Sequence, residues 1–271
     1  MKVKDWIGIA VFVILFLVGG FDSRAESKEI VFEDESLKRR ICYQLGKEED
    51  SPLYEEELEE HKGQLSLTGG ISIYNGEELD VLRAYFRLEN VYQWNVNFTP
   101  NLDGWTEKQL EGLKDMKQTV RIRSTGRTVL AEVLTYFTGS EELEFEVKDV
   151  LGLLPDGKKF PENIKSVTLL SYASARYGNL LECMQGSEVK MLKCFNDSAL
   201  AAGQNFWLDK VAGLRQLSIQ NGMHTLTGRK KVRKTGIFLP FTNDIWIWMQ
   251  EEAAKNSFVL PEKLYYYSFT I

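Results

Sequence analysis

Side-chain catalysis needs groups that can come within hydrogen-bond reach of one another, and this chain has few of the specialised types. His61 and His224 are its only histidines, and Cys42, Cys183 and Cys194 its only cysteines. No G-x-S-x-G, H-E-x-x-H or P-loop pattern occurs, and neither histidine has a nearby partner ligand in the sequence. His224, in Asn221-Gly222-Met223-His224, reads as a loop residue rather than a base. The cysteines lack the close spacing of a zinc site. Cys183 with Cys194 is a conceivable bridge, but Cys194 falls at a buried strand position, which favours plain buried thiols. The many carboxylates offer no way to select an acid and a base. The expectation is a protein that is not an enzyme, with no catalytic residue, no metal and no cofactor.

The spacing does support pairing of charges between neighbouring strands. Arg121 and Arg123 alternate with Val120 and Ile122, and Glu144 and Glu146 alternate with Leu143 and Phe145. Each is the period-two pattern of a strand with one buried face. The same pattern recurs along the chain. Ile164, Val167 and Leu169 occupy the first, fourth and sixth places of a unit that Val189, Leu192 and Cys194, and then Leu214, Leu217 and Ile219, repeat. Looser copies place the fourth-position marker at Leu65, Trp94, Val120, Leu143, Ile237 and Tyr267. Between the strands, 77–87 and 129–137 carry apolar residues at helical spacing, and 199–211 and 244–255 do so more weakly.

A strand with a return about every 25 residues predicts a solenoid. A doubly wound sheet also alternates strands and helices, but its unit takes roughly 30 residues or more and its nucleotide site needs a glycine-rich turn, which is absent. The tight units resemble the leucine-rich repeat, whose strand reads L-x-x-L-x-L-x-x-N. Residues Ile30, Val31, Phe32, Leu37, Ile41, Leu45 and Leu58 resemble the helical N-terminal cap of secreted bacterial leucine-rich repeat proteins of the internalin type. The resemblance implies an α/β fold: an irregular solenoid with parallel strands on the concave face and helical or irregular returns. Tyr172, Asp197 and Gly222 stand where the repeat carries its asparagine, so the usual buried asparagine ladder is expected to be missing.

Three segments follow. Residues 1–25 read as a signal peptide: Lys2 and Lys4, an apolar run from Trp6 to Val18, then small residues at Ser23 and Ala25. The run is shorter than the roughly 20 residues of a bilayer-spanning helix, so no membrane span is expected after cleavage. Residues 26–60 are expected to form the cap and 61–271 the degenerate repeats, in a protein that is secreted or associated with the bacterial surface.

If the strands stack, the residues between the buried pairs form lateral rows. One row reads Ser66, Asn95, Arg121, Glu144, Thr168, Lys193, Ser218 and Phe238. The next reads Thr68, Asn97, Arg123, Glu146, Leu170, Phe195, Gln220 and Pro240. The candidate ligand-binding set is Asn95, Arg121, Arg123, Glu144, Glu146, Leu170, Lys193, Phe195, Ser218 and Gln220. The four central charges can equally pair with one another on a wetted surface. Leu170 and Phe195 add apolar groups beside them, which suits an interface with a protein ligand. A cell-wall glycan is the alternative partner, and an unrecognised hydrolase a more distant one.

The spread-out tryptophans are expected to pack rather than stack on sugars. With 33 Lys and Arg against 39 Asp and Glu, the formal charge is −6, and the cations are interspersed with carboxylates. That argues against nucleic acid as a partner. The one basic run, Arg229 to Lys234, reads as a solvated loop, and Asn97-Phe98-Thr99 fits the N-glycosylation pattern.

Overall fold

The computed structural model describes residues 27–170, 177–194 and 213–220, residue 211, and strand backbones at 206–207, 239–240, 258–259 and 266–270. The signal segment, Phe195, the basic run and Trp246 and Trp248 lie outside the described residues.

The chain enters on a short strand β1 (Glu29–Ile30) paired antiparallel with β2 (Leu53–Tyr54). Between them runs helix α1 (Glu35–Gln44), started by the Asp34 side chain, which accepts from the backbone N–H groups of Ser36 and Leu37 at 2.9 and 3.2 Å. Leu37 and Ile41, four residues apart, are buried on one helix face. Helix α2 (Glu55–Glu60) then leads to strand β3 (Ser66–Ile73). Helix α3 (Gly76–Tyr85), capped by Asn75, connects β3 to β4 (Arg87–Phe98), with Leu79 and Leu82 turned to the core.

From there strands and returns alternate. Helix α4 (Glu107–Gly112) opens with a reciprocal Thr106–Gln109 capping box and leads to β5 (Thr119–Ser124). Strands β6 (Thr128–Leu130), β7 (Glu142–Glu146), β8 (Asp149–Leu151) and β9 (Ser166–Leu169) follow. Helix α5 (Gly178–Cys183) precedes β10 (Met191–Cys194), β11 (Phe206–Trp207), β12 (Gln216–Gln220), β13 (Leu239–Pro240), β14 (Phe258–Val259) and β15 (Tyr266–Thr270).

Among the described residues the principal sheet has nine strands in the order β3, β4, β5, β7, β9, β10, β12, β15, β13. It is open, and every pair is parallel except the last. The fold is therefore mixed α/β with a largely parallel sheet and helical or loop connections. The expected markers share one rung: Trp94 lies opposite Val120, which lies opposite Leu143, and the row continues through Val167, Leu192, Leu217 and Tyr267. The members from Trp94 to Leu192 are all buried. Successive returns also touch: β6 pairs in parallel with β8, and β11 with β14.

Close stacking of one unit on the next demands the smallest residue at a recurrent place. Gly139 and Gly213 each stand four residues before a marker, Leu143 and Leu217. A Cβ on Gly139 would collide with the carbonyl oxygens of Lys114 and Met116, and one on Gly213 would lie 3.0 Å from those of Ser187 and Val189.

Several expectations are corrected. The first unit is marked by Ile71, opposite Trp94, and not by Leu65, so Ser66 and Thr68 leave the two rows and Ser72 joins the first, opposite Asn95. The segment 65–73 carries two alternating apolar pairs, Leu65 with Leu67 and Ile71 with Ile73, and β4 absorbs extra residues in register shifts beside Ser66/Thr68 and Gly69/Gly70. Leu239 and Pro240 belong to an antiparallel edge strand, facing Tyr267 and Tyr266, so Pro240 is not a row member, and β15 takes the place expected of residue 237. An edge suits proline, which has no N–H to donate. Residues 129–137 form strand β6 and a 3-10 turn over Ala131–Tyr136 in place of an α-helix, and 206–207 is strand within a stretch expected to be helical.

Candidate binding face

The alternation that buries Val120, Ile122, Leu143 and Phe145 turns Arg121, Arg123, Glu144 and Glu146 to the other side of the sheet. There Arg121 Nε donates to Glu144 Oε2 at 2.7 Å and Arg123 Nε to Glu146 Oε2 at 2.6 Å, while Arg121 Nη1 comes within 3.9 Å of Glu146. Two longer reaches extend this network. Gln93 Nε2 crosses β5 to donate to Glu144 at 2.8 Å, and Lys193 Nζ crosses β9 to Glu142 Oε1 at 3.0 Å. Glu142 also accepts from Ser166 Oγ at 3.2 Å and Thr119 Oγ1 at 3.4 Å.

The result is a continuous polar band over β4, β5, β7, β9 and β10. Its three cations, Arg121, Arg123 and Lys193, balance its three carboxylates, Glu142, Glu144 and Glu146. These side chains are 17–36% exposed, neither free in water nor sealed from it. At that exposure an ion pair contributes about 0.2–1 kcal/mol, so the network sets side-chain positions more than it stabilises the fold.

The other candidate residues are placed as follows. Asn95 Nδ2 lies 3.5 Å from the Ile71 carbonyl, and its Oδ1 is buried with no hydrogen-bond partner. Leu170 is half-buried just beyond β9. Ser218 lies opposite Lys193 and Gln220 opposite Thr270, on described backbone. Two expected surface positions are corrected. Thr168 is only 1% exposed, with an unpartnered Oγ1, and Asn97 is buried with its Nδ2 donating to the Ile73 carbonyl at 3.2 Å. That bond occupies the amide that glycosylation would need. Glu142, Gln93, Thr119 and Ser166 were not singled out from the sequence. They form the row just before the markers, which the same alternation turns outward.

The remaining chemistry-bearing groups serve structure. Cys42 and Cys183 are buried free thiols, and burial pushes the Cys183 thiol pKa up. His61 Nδ1 lies 2.9 Å from the Glu57 carbonyl at the end of α2. Trp94 and Trp105 are buried. Tyr177 is fully buried, and its hydroxyl donates to Val147 O at 2.9 Å, with Phe145 O and Leu170 O each at 3.3 Å. This hydroxyl serves the carbonyls at the ends of β7 and β9, where an asparagine ladder was expected to be missing.

Among the described residues no group of three His, Cys, Asp or Glu side chains could hold a metal ion, and no helix is long and apolar enough to cross a membrane. No known family model matches the chain, and no curated protein is significantly similar to it.

Proposed function

We propose that the chain is an irregular leucine-rich repeat solenoid of the internalin type, exported by its N-terminal segment. In this reading it acts without catalysis and captures a protein ligand on the polar band, which lies on the concave side of that architecture. The observation that carries the reading is the unbroken rung from Trp94 to Tyr267. One rung in register makes the intervening side chains a single wall, held in place by hydrogen bonds before any ligand arrives. Preorganisation of that kind lowers the ordering cost of binding. A neutral, hydrogen-bonding wall with Leu170 beside it suits a protein surface of mixed polarity. The burial of Trp94 and Trp105 removes two stacking platforms that a glycan reading would use.

The test is an exchange variant carrying Arg121→Glu, Arg123→Glu, Glu144→Arg and Glu146→Arg, which keeps the cross-strand pairs and reverses their pattern. It should keep the circular dichroism spectrum of the parent and lose capture of extracellular proteins that the parent retains. Equal capture by both ends the proposal. Parent binding to a glycan array that the exchange abolishes transfers the face to a sugar ligand.

A further inference from the structure

A second surface, independent of the polar band, lies beside β1. Glu55 N–H donates to Lys28 O at 3.0 Å and Ile30 stands opposite Leu53, so the backbone groups of Lys28 and Ile30 face β2. By antiparallel alternation Glu29 and Val31 direct theirs to the opposite edge. No strand lies along that edge among the described residues.

Residues 28–31 form one wall of a groove of about 520 Å³. Helix α3 forms part of the other, with Val81 and Ala84 as apolar lining, and Val31 is 70% exposed on the near side. Glu29, Glu33, Glu77 and Asp80 stand along the groove, all exposed, against the single cation Lys28. Among the described residues none of these four carboxylates takes part in an ion pair. On the polar band every carboxylate is matched by a cation; here the negative charge is unmatched.

We infer that this groove docks an extended cationic segment of a partner protein, which pairs along the free edge of β1 and lays Lys or Arg side chains against Glu29, Glu33, Glu77 and Asp80. A free strand edge offers main-chain hydrogen bonds to an extended peptide and not to a helix. Alternate side chains of an added strand point to opposite sides, and the set on the side of Glu29, Val31 and Glu33, which share the exposed face of this segment, meets the carboxylates. Unmatched exposed charge attracts cations at a distance set by ionic strength, which makes the binding salt-sensitive.

The test uses the full chain and a labelled peptide of about ten alternating Lys and Val residues, a length matching the span of a long strand, read by fluorescence anisotropy. Saturable binding is expected, weakening as salt rises. The double variant Glu29→Gln, Glu77→Gln alters only exposed side chains and should weaken binding about three- to tenfold. The same peptide N-methylated at alternate residues keeps its charge, loses strand-pairing donors and should bind at least about tenfold more weakly. Equal binding of the methylated peptide overturns strand addition. Equal binding of a Glu/Val peptide, or no effect of the double variant, overturns the cationic partner.

Discussion

Gln44 and Ser66 exchange two hydrogen bonds of 3.0 Å, the side-chain amide of Gln44 donating to the Ser66 carbonyl and accepting from its N–H. Arg40 adds a donor to the Thr68 carbonyl at 2.9 Å. Helix α1 thus supplies, from side chains, what a neighbouring strand would supply to the edge strand β3. Gln44→Ala should cost no more than about 1 kcal/mol, because water can take over these exposed groups. The stronger effect should be self-association through the uncovered edge, seen as a concentration-dependent rise in sedimentation coefficient.

The Arg121–Glu144 pair should behave as a coupled unit. Arg121→Glu alone places like charges across β5 and β7 and should cost about 1 kcal/mol, while Arg121→Glu with Glu144→Arg should recover most of it. Urea midpoints of the two single variants and the double variant give the coupling. An additive double variant would mean that the contact contributes nothing.

Tyr177→Phe removes one oxygen from a closed site. The Val147 carbonyl loses its donor where water does not enter, so the variant should lose about 1–3 kcal/mol with an unchanged denaturant slope. Retained stability would mean that the aromatic ring alone, without its hydroxyl, holds the junction between the turns after β7 and β9.

Glu78 gives the fold a pH dependence. Its carboxylate accepts from the Glu33 and Tyr74 N–H groups, each at 2.6 Å, in a residue only 3% exposed. Burial pushes its pKa above the ordinary 4.5, and the backbone hydrogen bonds only partly oppose that rise. The native state therefore holds this proton more tightly than the unfolded chain. The contribution to stability is greatest below the unfolded pKa and is lost as pH rises through the folded one. The urea midpoint of the parent should fall relative to Glu78→Gln as pH rises from 4.5 toward neutrality. A constant offset between the two would contradict this.

The sheet was legible where burial repeats locally. Val167, Leu192 and Leu217 carry the tight pattern, and strands that bury every second residue can stack in only one phase without exposing a marker. The phase of β3 was not legible, because Leu65 with Leu67 and Ile71 with Ile73 satisfy the alternation equally and only the shifts in β4 choose between them. The charge pairing of Arg121 and Arg123 followed from adjacent strands. The reaches of Lys193 and Gln93 over an intervening strand did not, since they join strands that are not neighbours in the sheet and depend on side-chain length. Tyr177 and Glu78 were hidden for another reason: their partners are main-chain groups, which leave no mark in residue type. Thr168 shows that alternation assigns a face and not an exposure.

Leu217 and Tyr267 are neighbours in the sheet although the chain departs after Gln220 and rejoins the row only at Tyr266. Stacking without offset makes each step of the stack indifferent to how much polypeptide is spent before the next. Closing a longer excursion costs only about 0.6 kcal/mol per doubling of its length. This junction can therefore accept new sequence, even a small folded insert, while the side chains on either side keep their alignment.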